Sequence, residues 1–464
     1  MLKVFNKFYT VRNLLFFLGE TCLIFLGIWL VIFIIYSGEL PQNSERMNLW
    51  GRILLITFLI QISLYYHDLY NFRNKQGMFE LSIRIVSAIG VACIGLAALY
   101  YFFPYFILEQ GVFFLAIFIL ILFLVSWRLV YQYSCLLKLW NEKVLLVGDG
   151  TLAGQIGNEI RDNMDSGYTI SAVFSNPGNS NIAREFGAEK KDDYSELCNY
   201  CTHNRIRKII VALDERRGKS PVQDLLNCKM TGVKVLEGVS FYESISGKVL
   251  ASETPPSWLV FSDGFRRSKA VVAAKRSLDI IFASTGIILS LPLHVGVAVL
   301  VKLTSPGPVF FLQKRVGQME KVFRVIKYRT MYQDAENQSG AVWAEEDDPR
   351  VTPVGRFFRK FRVDELPQFW NVLKGEMSFI GPRPERPEFV EQLKKKIPYY
   401  GERHSVKPGI TGWAQINYGY GASEEDALRK LEYDLFYIKN LSLIFDLYIV
   451  LKTVKIVLVG HGAR

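Results

Sequence analysis

Residues 278–301 read LDIIFASTGIILSLPLHVGVAVLV, an apolar run long enough to cross the hydrocarbon core of a membrane as a helix. Pro292 lies near its centre, where proline removes a backbone donor and clashes with the preceding turn. The run therefore predicts a helix-break-helix over 278–303, with the break at Ser290 and Pro292. Basic residues flank both ends of the run: Lys275, Arg276 and Lys302. Such a segment can enter and leave the membrane on one face; the alternative is a transmembrane helix kinked at the proline.

Four further apolar runs open the chain, over 14–36, 53–70, 83–103 and 112–131. Each is long enough to span about 30 Å of hydrocarbon as a helix. Apolar residues make up 50% of the 464 residues, which is typical of a membrane protein with substantial soluble parts. Residues 1–140 are therefore predicted to form four transmembrane helices. Lys and Arg flank these runs so that the positive-inside rule predicts a cytoplasmic location for both ends of the bundle.

This orientation bears on the segment at 278–303. If the segment crossed the membrane fully, everything after residue 303 would lie on the side opposite to the domain before it. That later part is rich in Lys and Arg, which the positive-inside rule retains on the cytoplasmic face. The topology therefore favours the re-entrant helix.

The net charge of +11 indicates phosphorylated or otherwise anionic partners. Nucleic acid, anionic lipid and phosphorylated substrates all fit a basic protein. No RNP motif, basic-region helix or zinc finger is present in the sequence. We therefore predict that the partner is not a nucleic acid.

Residues 141–240 alternate short apolar runs with polar helical stretches, which predicts βαβ units and a parallel, Rossmann-like sheet. Gly148, Gly150 and Gly154 follow the first predicted strand and suggest a phosphate-binding turn. Their spacing is GxGxxxG, and Ser175-Asn176 stands where a ribose-binding acid is expected. The alternatives are a nucleotide site and a scaffold that regulates, docks or only spaces. Residues 241–274, with Pro255 and Pro256, are predicted to be a linker.

The strongest candidate for chemistry is RFFRKFRVDELPQ at 356–368. Pro367 and Gly375 predict a helix that begins near Asp364 and ends at Gly375. Asp364 and Glu365 would then lie at a helix N-terminus, where the dipole keeps a nucleophilic or metal-binding carboxylate ionised. Four upstream cations could neutralise a diphosphate: Arg356, Arg359, Lys360 and Arg362. The alternative is an acidic helix cap beside a solvated basic helix.

Three other segments offer groups for a phosphorylated ligand. Arg383 lies between two prolines in a stiff turn, and Arg386 follows it; guanidinium groups bind phosphate oxygens bidentately. Strand alternation predicts that Lys327 and Arg329 share one face. A glycine-rich loop at 408–415 contains a Trp that could stack on a base or pack a lid, although ordinary turn chemistry explains each segment singly.

Residues 275–464 resemble the monotopic bacterial sugar transferases, which act on polyprenol phosphate. Ordered matches carry the resemblance: KRSLD at 275–279, SPGPVF at 305–310, QKRVG at 313–317, KYRTM at 327–331, DELPQ at 364–368, NVLKGEMS at 371–378, GPRP at 381–384 and KPGITGW at 407–413. The four-helix bundle and Rossmann-like domain resemble the long form of that family. Residues 258–267 and 460–464 resemble its exopolysaccharide-type subgroup.

The resemblance implies a multi-pass enzyme of the bacterial inner membrane with a cytoplasmic α+β catalytic domain, anchored by the re-entrant helix. It implies transfer of hexose 1-phosphate, with glucose or galactose as the default sugar, from a UDP-sugar to undecaprenyl phosphate. UMP would leave, and the step would begin exopolysaccharide or O-antigen synthesis. A homodimer is compatible with this organisation.

The resemblance also implies roles for particular residues in a two-step, ping-pong route. Asp364 would attack the β-phosphorus and form a phosphosugar-aspartyl intermediate, which the lipid phosphate then attacks. Mg²⁺ would bridge Asp364, Glu365 and the diphosphate. Phosphate oxygens would be bound by basic residues: Lys327, Arg329, Arg359, Arg383 and Arg386. Asp434 is a further polar candidate.

Two other functions stay open at this point. Residues 143–240 could belong to a nucleotide-sugar dehydrogenase or epimerase, but this region contains no Tyr-x-x-x-Lys pair. The chain could also be a membrane scaffold without enzymatic activity in a polysaccharide assembly complex.

Overall fold

Contacts divide the chain into two units, Met1–Phe241 and Tyr242–Arg464, and each is described by itself. The computed structural model describes residues 2–4, 7–9, 11–35, 43–71, 77–106, 112–138, 140–163, 166–175, 182–213, 221–265, 268–333, 335, 348–419, 421 and 423–459. Asn176, residues 266–267 and residues 460–464, which enter the sequence-based predictions, lie outside these ranges.

The first unit opens with a short hairpin and four long helices. The hairpin pairs β1 (Leu2–Val4) with β2 (Lys7–Tyr9). The helices are α1 (Val11–Ile35), α2 (Asn43–Tyr66), α3 (Met78–Phe102) and α4 (Val112–Leu136). All four are apolar and long enough to cross a membrane, as is one later helix. The four predicted apolar helices are therefore confirmed, and the chain is a membrane protein.

The bundle buries aliphatic side chains between its helices and exposes large apolar ones outside, as a lipid-facing bundle requires. A buried ion pair joins the first helix to the fourth. The Arg128 guanidinium lies 2.6 Å from Glu20 Oε1, and both side chains are almost fully buried. Charged groups inside a membrane bundle need such a partner, so this pair fastens α1 to α4.

A five-stranded parallel sheet completes the first unit and confirms the predicted Rossmann-like fold. Its strands lie in the order β5-β4-β3-β6-β7. The strands are β3 (Glu142–Val147), β4 (Tyr168–Phe174), β5 (Glu189–Lys191), β6 (Lys208–Val211) and β7 (Lys234–Glu237). The helices are α5 (Thr151–Asp162), α6 (Ile182–Glu185), α7 (Leu197–His203) and α8 (Val222–Met230).

The glycines after β3 have different local roles. Gly148 has φ +120°, and a Cβ there would lie 2.2 Å from the carbonyl oxygen of Ala212. Gly150 immediately precedes α5. Gly154 has open space around it, whereas Gly157 is the glycine that close packing requires, since a Cβ would meet the Phe186 ring at 2.0 Å. Nucleotide binding at this turn stays a prediction.

The second unit carries the remaining elements. Its helices are α9 (Gly238–Ser246), which begins before the boundary, α10 (Pro256–Phe261), α11 (Lys269–Thr304), α12 (Pro353–Lys360), α13 (Gln368–Lys374), α14 (Pro387–Lys396), α15 (Trp413–Asn417), α16 (Glu424–Lys439) and α17 (Leu443–Val459). An antiparallel hairpin pairs β8 (Phe310–Val316) with β9 (Val322–Tyr328), and β10 (Ser378–Ile380) pairs in parallel with β11 (Gly409–Thr411).

The segment 241–274, predicted to be a linker, packs into the second unit. Glu243 accepts a hydrogen bond of 2.6 Å from the Lys439 ammonium. That ammonium also lies over the ring of Trp258, which is buried. A buried Lys must be paired, so these contacts fix the segment against α16 and explain why it does not behave as a spacer.

The membrane segment differs from its prediction. The predicted interruption of 278–303 at Ser290 and Pro292 is wrong, because α11 is helical throughout and contains Pro292. Pro292 removes the hydrogen bond to the Ile288 carbonyl, a loss that apolar helices tolerate. In the same turns the Ser290 hydroxyl donates to the carbonyl of Gly286 at 2.6 Å and lies 3.0 Å from His294 Nε2.

Both ends of α11 are fastened to the second unit. Near its start, the Arg276 guanidinium donates to the carbonyl oxygens of Val372 and Leu373. Near its end, Val297 and Val301 pack with Tyr328 and Phe358. Between these contacts the helix exposes large aliphatic side chains: Ile288, Leu289, Leu291, Leu293 and Val295. The helix is thus anchored at both ends and presents an apolar surface in the middle.

Candidate active site

Asp364 and Glu365 lie in a short 3-10 turn, Val363–Glu365, between α12 and α13. Arg362 precedes the turn with φ 54°, a left-handed conformation that turns the chain at the end of α12. The sequence predicts a helix start near Asp364, and the 3-10 turn begins at Val363 and leads through helical Leu366 and Pro367 into α13 at Gln368. The predicted stop is confirmed, since Gly375 ends α13 with φ +84°.

Glu365 is held by cations from three parts of the chain. Its Oε1 lies 2.6 Å from the Arg383 guanidinium and 3.2 Å from the Lys327 ammonium. The Arg362 guanidinium lies 3.8 Å from Oε2. Burial opposes ionisation, but the charges of Arg383 and Lys327 outweigh it and hold the pKa of Glu365 below its usual value. Glu365 is therefore the anionic centre that gathers these cations.

Asp364 sits beside this cluster in a different state. Within the described ranges, no hydrogen bond or ion pair to its carboxylate occurs, and its residue is only 8% exposed. Burial and the neighbouring Glu365 charge raise its pKa to about 6, against the opposing fields of Lys327, Arg359 and Arg383. Burial thus opposes the ionisation of Asp364 that the helix N-terminus is predicted to favour.

Asp434 acts on Arg383 indirectly, through the Arg403 guanidinium. It is buried in α16 and lies 2.8 Å from the Arg403 guanidinium. The same guanidinium nitrogen donates to the carbonyl oxygen of Arg383 at 3.1 Å, and the other nitrogen donates to Tyr400. Asp434 is therefore not at the reacting centre, and it acts through Arg403 on the backbone that presents Arg383.

The four basic residues upstream of the carboxylates divide into two pairs. Arg359 in α12 and Arg362 just after it are half-buried near the carboxylates, and Arg359 Nε donates to Thr330 Oγ1 at 3.0 Å. Arg356 and Lys360 are exposed. These two lie four positions apart in α12 and therefore on one side of the helix.

Two further residues are predicted to bind phosphate, Arg329 and Arg386. Arg329 is buried and donates to the carbonyl oxygens of Ser305 and Pro306, each at 2.8 Å. It follows the last residue of β9, so the alternation that pairs it with Lys327 does not extend to it. The prediction that both share a ligand-binding face is therefore wrong. Arg386 immediately precedes α14 and lies 3.8 Å from Glu388.

Sequence reasoning gave no role to two residues that shape the site. Arg315 donates to the carbonyl oxygen of Pro384 at 3.0 Å and so braces the turn that carries Arg383. Asp279 in α11 accepts hydrogen bonds from Ser378 and from the backbone nitrogen of Phe379. The family-like segments 275–279 and 313–317 contain both residues, and that resemblance was the only signal for them.

The predicted stacking role of the 408–415 loop is also wrong for its Trp. Trp413 is 3% exposed and packs against Phe436 and Phe445. Its indole nitrogen donates to the carbonyl oxygen of Gly247 at 2.8 Å. This side chain therefore belongs to the core of the second unit.

A Mg²⁺ ion can be tested against the groups present. In the part of the chain that the structure describes, no cluster of three or more metal-ligating side chains occurs. Mg²⁺ does not need one, because it is commonly held by one or two carboxylates together with substrate phosphates. Among the residues that the structure describes, Asp364 has no bonded partner, and the ion pair to Glu365 Oε2 is the 3.8 Å contact with Arg362. The residues therefore fit a metal that is shared with a diphosphate.

Two parts of the chain match known families. Residues 270–460 match the family model for the bacterial sugar transferase. This range includes the carboxylate–cation cluster, by which we mean Asp364, Glu365 and the basic residues around them: Lys327, Arg359, Arg362 and Arg383. Residues 66–235 match a family model described as a CoA-binding domain, which contains the parallel sheet.

Two relatives match longer stretches. The chain is 46% identical over 240 residues to the UDP-N-acetylgalactosamine-undecaprenyl-phosphate N-acetylgalactosaminephosphotransferase of Aeromonas hydrophila, covering 52% of this chain and 56% of that protein. It is 33% identical over 321 residues to the UDP-glucose:undecaprenyl-phosphate glucose-1-phosphate transferase of Escherichia coli K12, covering 68% of each protein. The matches thus span from just over half to two thirds of these relatives.

Proposed function

The chain belongs to the bacterial sugar transferase family, and we propose that it transfers a hexose 1-phosphate from a UDP-sugar to undecaprenyl phosphate with release of UMP. One observation supports this most directly. Among the described residues, Asp364 is a buried carboxylate without a bonded partner, while Lys327, Arg359 and Arg383 lie close enough to act on its charge. A carboxylate that is already bonded to a cation is a poorer nucleophile than one whose oxygens are open.

The first step of the proposal is attack by an Asp364 oxygen on the β-phosphorus of the UDP-sugar. A bond forms between that oxygen and phosphorus, and the bond from phosphorus to the bridging oxygen breaks. UMP leaves with the electron pair, and the phosphosugar remains on Asp364. Arg383, Lys327 and Arg359 would stabilise the charge on the phosphate oxygens during this transfer.

In the second step an oxygen of undecaprenyl phosphate attacks the same phosphorus. The bond between phosphorus and Asp364 breaks, which regenerates the carboxylate and gives a lipid diphosphate-linked sugar. Glu365 keeps Lys327 and Arg383 in position in both steps, because it binds both cations through one oxygen. The chain thus uses one carboxylate for bond making and the other for holding the cations.

Mg²⁺ is part of the proposal. Asp364 and the second oxygen of Glu365 would hold the ion, which neutralises diphosphate charge when it is bound. The cations around Glu365 would still position the substrate phosphates, because hydrogen bonds and burial fix these cations in place.

We further propose that the catalytic domain is cytoplasmic and that α11 inserts into the inner membrane without crossing it. Both ends of α11 contact the same unit, near Arg276 and near Val301. A helix that crossed the bilayer would have its two ends on opposite sides of about 30 Å of hydrocarbon, so one folded unit on one side could not contact both ends. The exposed aliphatic middle of the helix would instead lie in the hydrocarbon while the reacting groups stay at the surface.

The donor sugar is the least constrained part of the proposal. The family resemblance implies glucose or galactose as the default donor sugar. The Aeromonas relative, which is named for N-acetylgalactosamine, is more similar over its matched length than the relative named for glucose. UDP-glucose, UDP-galactose and UDP-N-acetylgalactosamine are therefore the donors to compare.

The test measures UMP release from these donors by the full chain in nanodiscs, with undecaprenyl phosphate and Mg²⁺. Wild type is expected to release UMP from at least one donor, and Asp364→Asn is expected to lose at least about a thousandfold in rate. Arg356→Gln is the matched control on the exposed side of α12. Unchanged release by Asp364→Asn would refute the nucleophile, and no release by wild type would favour the scaffold alternative.

A further inference from the structure

A cleft of about 190 Å³ borders the carboxylate–cation cluster. The two-step route assigns no role to most of the residues that line it. Arg362 and Glu365 line one part of it. The rest is mainly apolar and is contributed by Phe361, Ile416 and Val457, among others. The cleft therefore joins a charged region to a hydrocarbon-like surface within one space.

The apolar lining discriminates between the two substrates. A nucleotide sugar carries hydroxyl groups, and burying them against aliphatic side chains without hydrogen bonds is costly. The side chains of Thr411 and Thr453, which also line the cleft, are 2.8 Å apart and bonded to each other. An unsubstituted hydrocarbon loses nothing by contact with such a surface and gains by leaving water.

The cleft also adjoins apolar surfaces suited to a membrane. Phe369, on one wall, packs so closely on α11 that a Cβ at Gly286 would lie 2.6 Å from its ring. The opposite wall includes the end of α17. Along its outer face this helix exposes Ile444, Leu447 and Leu451, at helical spacing. The cleft is therefore lined by a residue that packs on one apolar helix and by the end of another.

We propose that this cleft holds the isoprene units nearest the phosphate of the polyprenyl phosphate acceptor, with Arg362 at the phosphate end. The inference rests on the proposed function and adds the location of the acceptor. Three features of the cleft match the ligand: a cation beside the reacting carboxylates, an apolar remainder, and walls that include the end of α17 and a phenylalanine packed on α11. Val457 is the lining residue that the chain offers for a controlled test.

Two valines of α17 form a matched pair. Val457 lines the cleft and Val454 does not, yet both are 42% exposed. Tryptophan at position 457 would occupy space that an isoprene unit needs. Tryptophan at position 454 adds the same bulk to the same helix outside the cleft. Any general effect on folding or membrane association is therefore expected to appear in both variants.

The experiment follows the two half-reactions separately in nanodiscs. UMP release without acceptor reports the donor step, and discharge of the labelled enzyme by undecaprenyl phosphate reports the acceptor step. Val457→Trp is expected to raise the KM for undecaprenyl phosphate by about tenfold or more, with a much smaller effect on the donor step. Val454→Trp is expected to leave both steps within about twofold of wild type.

Two results would overturn the acceptor assignment. One is an unchanged acceptor KM in Val457→Trp. The other is a raised KM for the UDP-sugar in its place, which would assign the cleft to the donor. That second result has a physical basis, because Gln415 Oε1 borders the cleft without a hydrogen-bond partner among the described residues and could accept from a sugar hydroxyl.

Photolabelling separates this inference from the proposed function. A farnesyl phosphate bearing a diazirine on its first isoprene unit is irradiated with the full chain in the absence of donor. Labelling within 410–416 or 453–457, competed by undecaprenyl phosphate and lost in Val457→Trp, supports the cleft even if no UDP-sugar is turned over. Labelling confined to other segments would overturn it even if the enzyme is active.

Discussion

Replacing Asp434 with Asn tests whether a buried chain of contacts positions Arg383. Asp434 lies 2.8 Å from the Arg403 guanidinium, which donates in turn to the backbone carbonyl of Arg383 at 3.1 Å. Asn conserves the shape and one acceptor oxygen of Asp. It removes the negative charge and leaves the guanidinium without its counter-ion.

The expected cost follows from burial. The side chains of Asp434 and Arg403 are only 2% and 5% exposed. Removing one partner of such a pair costs about 3–5 kcal/mol, and because Asn still accepts a hydrogen bond we expect about 3 kcal/mol. For a unit of this size, that loss lowers Tm by about 6–12 °C.

Thermal unfolding of the full chain in nanodiscs measures the stability, and UMP release measures the consequence for Arg383. Asp434→Asn is expected to lower both. In the double variant Asp434→Asn, Arg403→Met, no unpaired charge remains, so Tm is expected to recover by at least half. UMP release is expected to stay low, because the contact to the Arg383 carbonyl is still missing.

This combination separates positioning from stability. An unchanged Tm in Asp434→Asn would refute the ion-pair argument. Recovery of both Tm and UMP release in the double variant would show that Arg403 does not position Arg383. It would also refute the proposal that Asp434 acts on Arg383 through Arg403.

Three further predictions concern residues away from the carboxylates. Arg329→Met is expected to lower Tm, because it loses about 3 kcal/mol of hydrogen bonding to two carbonyl oxygens. Its KM for the UDP-sugar is expected to stay within about twofold of wild type. A selective rise in that KM would show that Arg329 belongs to the ligand site. Burial and the Arg403 charge lower the pKa of His404 to about 4 from 6.5, so stability is full above about pH 6.5 and is lost as the pH falls towards 4; His404→Gln should flatten the dependence of Tm on pH, and an unchanged slope would contradict this. Trp413→Phe removes the hydrogen bond to the Gly247 carbonyl and is expected to cost about 1–2 kcal/mol, measured as a lower Tm; no change would mean that the carbonyl finds another donor.

The large elements could be predicted because their signals are local. Apolar runs predicted the helices of the bundle, and alternating strands and helices predicted the parallel sheet. Gly375 marked the end of α13, since its positive φ is strained for other residues. These features are determined by residues that are close together in the chain, so a single sequence is enough to predict them.

The site itself was predicted less completely, because its contacts join distant segments. The sequence brought Lys327, Arg383 and Glu365 into one hypothesis, but only the fold distinguishes the bonded Glu365 from the open Asp364. Arg329 shows the opposite limit. Its charge and spacing resemble those of a ligand-binding residue, yet β9 ends one residue earlier and the guanidinium turns to backbone carbonyls.

The double attachment of α11 also fixes the dimensions of the membrane anchor. Asp279 binds the backbone at Phe379, and Val301 packs beside Phe358, so both ends are held by one folded body. One inserted residue would rotate the far half of the helix by about 100° and advance it by about 1.5 Å, which breaks one of the two attachments. We therefore expect α11 to tolerate insertions and deletions poorly, whereas an isolated membrane-spanning helix can change in length. Since α11 does not cross the bilayer in our proposal, the two attachments fix its depth of insertion, and the surrounding lipids have to adjust to that depth.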